Sequence, residues 1–230
     1  MRSIPDNLQD IRVRIERAAT AVGRDPKSVT LLAVSKTQPA ESVRAAMGAG
    51  QQAFGENYVQ EAIEKIDALA AGAAACEWHL IGPLQSNKTK LVAARFDWVQ
   101  TVDGEKIARR LSGQRSGNLP PLNVLIQVNV SGESSKSGVS PSEVPVLAQA
   151  IQRLPRLRLR GLMAIPEPGA PRERYQELKR LYDELKGKHR FDTLSVGMSD
   201  DLEAAIAEGS TMVRIGTAIF GARQTVRPAA

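Results

Sequence analysis

The 230-residue chain is 42% hydrophobic and 24% charged, with 31 basic against 25 acidic side chains and a net charge of +6. This is ordinary globular composition, and with only 4% aromatics there is no stacking platform for single-stranded nucleic acid. The basic residues are dispersed among nearly as many acids, so nucleic-acid binding is not expected, and a small phosphorylated ligand would use the positive balance equally well.

One cysteine, Cys76, excludes an internal disulfide framework, fits a reducing compartment and reads as an inert small residue. The N-terminus has no apolar run long enough for a signal peptide, and no later stretch approaches a membrane span. A cytoplasmic protein is the expectation.

Ile4, Leu8, Ile11, Ile15, Ala18, Ala19 and Val22 recur at three- and four-residue steps, which predicts an amphipathic helix closed by Gly23. A strand over 29–35 follows, then a helix over 39–47 stopped by Gly48 and Gly50. The beat of strand then helix continues: strand 52–57 and helix 58–71, strand 77–82 and helix 86–96, strand 97–103 and helix 104–114. The run "LNVLIQVNV" over 122–130 has the nearly unbroken apolar character of a strand buried on both faces. After it come helix 141–154, strand 159–165, helix 172–188, strand 192–198, helix 200–209 and a last strand and turn over 211–221. The basic stretch "RLPRLRLR" over 153–160 reads as an edge-like strand or a connector.

Eight strands separated by helices on one continuous core is the count of a closed parallel (β/α)8 TIM barrel, here with an extra N-terminal helix. The rival, an open doubly wound sheet, usually has fewer strands and a glycine-rich first turn, whereas the first turn here is "SKTQPA". No linker or composition shift divides the chain, so residues 1–230 are expected to form a single domain.

In such a barrel the residues after each strand converge on one face. Those positions are Lys36, Asn57, His79 with Gly82, Asp103, Asn129, Met163 or Ala164, Ser199, and Arg214 to Thr217. A lysine desolvated at an apolar strand end has its pKa lowered, and the free amine is what Schiff-base chemistry with an aldehyde requires. Position alone favours a lysine that merely caps a strand.

An anion site is the second candidate. Ser199 stands at a predicted helix start, with Asp200 and Glu203 spaced as a capping box, and Gly216 and Thr217 form a tight turn after the eighth strand. Backbone amides at such places suit a phosphate, although ordinary capping and turn chemistry explains either motif alone. Asp200 and Asp201 would have to face outward for a phosphate to sit there.

Other motifs fail on inspection. "GESSKSG" over 132–138 lacks the GxxxxGK[ST] pattern of a phosphate-binding loop, and His79 and His189, the two histidines, are far apart with no HExxH or cysteine cluster, so no metal site is expected.

Taken in order, "LLAVSKTQP", "FGENYVQE", "WHLIGPLQSNK", "NVSGESSKSG", "RLRGLMAI" and "GMSDDLEAAIAEGSTMVRIGTAIFGAR" resemble the pyridoxal phosphate homeostasis protein family, related to the N-terminal barrel of alanine racemase. The match runs over nearly the whole chain. The resemblance implies pyridoxal 5′-phosphate as cofactor, held as a Schiff base on Lys36, with its phosphate on Ser199, Gly216 and Thr217 and its pyridine nitrogen facing Arg214. An arginine there stays charged and cannot readily protonate the ring, which makes a weaker electron sink than an acidic partner would. Asn57 and His79 are implied as lining the same pocket, and Lys136 as a second lysine able to receive or relay the cofactor.

Racemisation needs a base on each face of the substrate carbon, and Lys36 supplies one. The chain ends a few residues past the eighth strand, leaving no room for the second domain that brings the opposing tyrosine in alanine racemase, and Tyr175 and Tyr182 fall on a helix where packing or solvent is expected. No catalytic residues are therefore assigned. The expected function is to buffer the cofactor or deliver it to apo-enzymes, as a monomer. The alternatives are a pyridoxal-phosphate-dependent racemase or lyase of narrow specificity, and a cofactor-free Schiff-base aldolase acting on a sugar phosphate.

Overall fold

The computed structural model describes residues 2–70, 76–133 and 137–221. Lys136 and the residues after Gly221 lie outside them. Eight parallel strands, β1 (Thr30–Val34), β2 (Ala53–Glu56), β3 (Glu77–Leu80), β4 (Trp98–Val102), β5 (Leu122–Val128), β6 (Leu157–Ala164), β7 (Thr193–Ser195) and β8 (Met212–Ile215), close in sequence order into a barrel. Closure comes from pairing of β1 with β8, with Ala33 opposite Ile215. The expected (β/α)8 barrel with an extra N-terminal helix is the fold found.

The helices lie outside: α1 (Ile4–Ala21), α2 (Ala40–Gly48), α3 (Val59–Leu69), α4 (Thr89–Arg95), α5 (Glu105–Gln114), α6 (Val144–Gln152), α7 (Arg172–His189), α8 (Leu202–Ala207) and α9 (Thr217–Phe220). A capping box between Ser3 and Asp6 starts α1, and its apolar stripe of Leu8, Ile11, Ile15 and Ala19 is buried against the core. Burial of each large aliphatic side chain there is worth about 1.5–3 kcal/mol.

The core has two compartments. The larger lies between the helices and the outer faces of the strands and takes in Phe54, Phe96, Leu111 and Ile151. Inside the barrel are two smaller clusters, Leu32, Ala53, Ile81 and Met212 on one side and Trp98, Leu125 and Met163 on the other. Gly161 on β6 sits at φ +151, where an added Cβ would lie 1.9 Å from the Thr193 carbonyl oxygen, so β6 and β7 approach as closely as they do only because that side chain is absent.

Three local expectations are corrected. The stretch over 153–160 is not an edge or a mere connector, because β6 begins at Leu157 and Arg160 lies 4.6 Å over the Trp98 ring while pairing with Asp192. The seventh strand is confined to Thr193–Ser195, since Gly197 at φ +104 turns the chain away. Asp200 and Glu203 form no capping box: α8 starts after Asp201, whose side chain makes no capping bond to the helix, and Glu203 is held by Arg14 of α1. No helix among the described residues is long and apolar enough to cross a membrane.

Candidate functional site

At the exit of β1, Ser35 is fully buried and Lys36 and Thr37 turn out of the strand. A buried ionic cluster anchors both neighbours of Lys36. The Lys65 ammonium donates to the Ser35 carbonyl, to Glu56 and to Glu61, the Ser35 hydroxyl donates to Glu56, and the Thr37 N–H donates to Glu61. Burial pushes the Glu56 carboxyl up, against the pull of the adjacent Lys65 cation. Thr37 sits at φ +61, a left-handed conformation that costs a β-branched residue on the order of 1–3 kcal/mol and persists where its surroundings impose it.

Asn57 follows β2, with its Oδ1 buried and unpaired within the protein. Its backbone is pressed against Gly82 at the exit of β3, where an added Cβ would lie 2.2 Å from the Asn57 carbonyl oxygen. Next to β8, Gly216 leads into α9, whose first N–H groups have no acceptor within the helix. Gly216 also passes close to β1: an added Cβ would lie 3.1 Å from the Val34 carbonyl oxygen.

The segment after β7 is fastened from two sides. Asp201 accepts from the Met198 N–H and, at 2.6 Å, from the Tyr175 hydroxyl. Arg14 donates to the Ser199 carbonyl at 3.0 Å and to Glu203 at 2.9 Å. Burial and the Asp201 carboxylate together raise the Tyr175 pKa. Tyr175 and Tyr182 thus pack, as the sequence allows, and one of them is bound to the loop that carries Ser199. Of the two acids expected to face outward, Asp201 is turned into this network, and Asp200 is an exposed residue on the cavity rim.

These elements enclose a cavity of about 390 Å³ lined by Lys36, Asn57, Ser199, Arg214, Gly216 and Thr217 together with Val34, Ile81, Ile165, Met198 and Asp200. Six of the seven residues singled out from sequence as cofactor-binding therefore meet at one place. The seventh, His79, does not line it. It is fully buried inside the barrel, stacked on Trp98 at 4.9 Å, with its Nδ1 3.0 Å from Gln100 Nε2. Burial lowers the His79 pKa, opposed by Glu77 3.6 Å from Nε2.

Arg214 is 4% exposed and makes three bonds, from Nη1 to the Ser195 carbonyl and hydroxyl and from Nη2 to the Ala164 carbonyl, each 2.8 Å. Desolvation brings its pKa down to about 10, so it remains a cation at neutral pH. The apolar wall was missed from sequence. Ile165 and Met198, 42% and 37% exposed, are large hydrophobics placed one and three residues after strands, and that position is the signal that marks them.

A larger cavity of about 630 Å³ opens at the opposite end of the barrel, among Arg12, Lys27, Gln51 and Glu77. None of the residues that follow the strands line it. Among the described residues no group of histidine, cysteine and acidic side chains is arranged to hold a metal ion.

The profile of the family described as "Alanine racemase, N-terminal domain" matches residues 7–224. Over 229 residues, 97% of this chain and 98% of its own length, the pyridoxal phosphate homeostasis protein of Escherichia coli is 57% identical. The protein of that name from Pseudomonas aeruginosa is also 57% identical, over the full length of both chains. The chain belongs to this family.

Among solved structures, PipY of Synechococcus elongatus with pyridoxal phosphate bound is 34% identical, with a TM-score of 0.80 over 95% of this chain and all of its own. Alanine racemase of Corynebacterium glutamicum, 16% identical, shares the fold with a TM-score of 0.67, and the match covers 63% of its chain.

Proposed function

We propose that this member of the pyridoxal phosphate homeostasis family binds pyridoxal 5′-phosphate on Lys36 and buffers or delivers it within the cell. The observation that carries the reading is the convergence of Lys36 with Ser199, Gly216, Thr217 and Arg214 on one cavity of about 390 Å³, a volume in the range of small-molecule sites.

The donor set fits the cofactor. Lys36 offers the amine, and Ser199, Gly216 and Thr217 offer hydroxyl and backbone N–H groups at a place where a side chain on Gly216 would crowd Val34. Arg214 offers a fixed cation, and the buried Asn57 Oδ1 is an acceptor suited to a donor from the occupant. When bound, pyridoxal 5′-phosphate supplies an aldehyde that condenses with a primary amine.

Among the described residues lining the cavity, the titratable side chains are Lys36, Asp200 and Arg214. No tyrosine or histidine stands among them, and the carboxylate there, Asp200, is exposed on the rim, which supports a carrier rather than a racemase or lyase. The same reading takes apo-enzymes as recipients and keeps the monomeric, single-domain, cytoplasmic protein expected from sequence, with Lys136 as a relay.

Absorption spectra before and after borohydride, with mapping of the modified lysine, test it. Loaded native protein absorbs at the violet edge of the visible, and borohydride fixes the cofactor to Lys36. Lys36→Ala loses the adduct, and a full adduct that persists would move the assignment to Lys136. Protein left colourless after addition of cofactor would favour the aldolase reading, and racemisation or elimination of amino acids at ordinary enzyme rates would replace the carrier with an enzyme.

A further inference from the structure

Barrel interiors of this kind are ordinarily filled by branched aliphatic side chains. Here a line of polar side chains runs between the two inner apolar clusters: Arg214 from β8, Ser195 from β7, Gln100 from β4 and His79 from β3. The last three are completely buried. Polar groups in such a place destabilise the fold unless each is hydrogen-bonded, and these are bonded to one another, with His79 Nε2 at the end of the line left without a partner.

The bonds determine which atom donates. Arg214 has only donors, so its Nη1 gives a proton to Ser195 Oγ at 2.8 Å, and the Ser195 hydroxyl gives its own to Gln100 Oε1 at 2.7 Å. The other end of the Gln100 amide is then the NH2 group, 3.0 Å from His79 Nδ1 and 3.1 Å from Met212 Sδ. An NH2 group can only donate, so His79 Nδ1 accepts, the ring is neutral, and its proton is on Nε2, which is buried without a hydrogen-bond partner and has Glu77 as a nearby carboxylate at 3.6 Å. Every donor points the same way, from a cation at the cavity to a carboxylate at the far mouth of the barrel. Asp97 and Arg160 are the other charges near the imidazole.

We propose that Ser195, Gln100 and His79 are positioning residues for Arg214, holding its guanidinium in a single orientation toward a ligand ring in the cavity. The inference rests on the reading of that cavity as the pyridoxal phosphate site. Bonds in such a line polarise one another. Gln100 occupies the Ser195 proton, which leaves the Ser195 lone pair for Arg214, and His79 fixes which end of the Gln100 amide faces Ser195. Arg214 needs this support, because its other two bonds go to the carbonyls of Ser195 and Ala164 alone.

Two variants and two measurements test the column. Gln100→Leu cuts it in the middle at similar volume, and Ser195→Ala removes the hydroxyl beside Arg214 with the least disturbance. In 15N spectra of the cofactor-free native protein, which has two histidines, His79 shows a bare Nδ1 and a protonated Nε2, and Gln100→Leu shifts the Nδ1 resonance. After loading, both variants keep the borohydride-reducible adduct on Lys36. Their visible band moves from the native position, and cofactor dissociation strengthens about tenfold, the equivalent of about 1.4 kcal/mol.

Variants with the native band and native affinity, altered only in melting temperature, would overturn the proposal and leave the column as packing. So would a native His79 that is protonated on Nδ1. Native protein that takes up no cofactor would overturn the reading of the cavity and this inference with it, a result distinct from normal uptake with an unmoved band. Should Gln100→Leu fail to fold, Ser195→Ala decides.

Discussion

Lys65 Nζ lies 2.6 Å from the carbonyl oxygen of Ser35, so the chain is pinned by a buried ammonium one residue before Lys36. The same ammonium is 2.8 Å from Glu56 and 2.6 Å from Glu61, and it neutralises one of those two carboxylates. Removing it strands Glu56, whose Oε2 already has no partner. Lys65→Met should cost about 3–5 kcal/mol, the usual loss when one member of a buried ion pair is deleted. Urea denaturation checks this, and Glu61→Gln, at the half-buried side of the cluster, should cost less.

Tyr175 acts on the Ser199 segment through Asp201. Tyr175→Phe removes one hydrogen bond to a carboxylate and should destabilise the fold by about 1.5–3 kcal/mol. It should also weaken retention of phosphate-bearing ligands while leaving the proposed adduct on Lys36 unchanged. Equilibrium binding of pyridoxal phosphate set against inorganic phosphate measures this, and unaltered affinity for both would sink the link from α7 to the loop.

Gly82→Ala puts a methyl group into the Asn57 backbone, which cannot yield as a flexible side chain can. The expected outcome is loss of ligand retention together with a lowered melting temperature. Gly117→Ala, where an added Cβ meets nothing within 4 Å, should be close to neutral and serves as the control.

The pH dependence of stability follows from the histidines. Burial holds the folded-state pKa of His79 below its ordinary 6.5, and that of His189 as well. Between the depressed value and 6.5 the unfolded chain binds more protons, so stability rises with pH through that window and is lost as pH falls through it. Each histidine contributes at most about 1.4 kcal/mol per pH unit. His79→Gln should flatten the slope of unfolding free energy against pH just below the ordinary histidine value of 6.5, read by denaturant titration at several pH values; an unchanged slope would show that His79 does not titrate in that window.

The barrel was legible because each strand is a short apolar run between helical periods, and β5, "LNVLIQV", is the plainest case. The cavity was legible because residues after strands converge, which brought Lys36, Asn57, Ser199, Arg214, Gly216 and Thr217 together. The same rule misplaced His79, which stands inside β3 two residues before Ile81, the residue that does reach the cavity. Gln100 and Ser195 escaped notice, although a polar residue in a fully buried strand, Gln100 in the middle of "WVQTV" and Ser195 at the end of "TLS", is the sign to look for. The pairing of Glu203 with Arg14, 189 residues away, outcompeted a local cap, and no local pattern announces such a contact.

The pairing of β1 with β8 sets the order of events during synthesis. Lys36 leaves the ribosome early, whereas Arg214, Gly216 and Thr217 are among the last described residues to emerge, and the strand that carries Arg214 is the one that seals the ring. A nascent or truncated chain therefore has Lys36 without the residues proposed to seat an anion, and two raw sheet edges besides. Competence to hold a ligand and topological completion arrive together, so uptake of ligand would itself report that a molecule had finished folding.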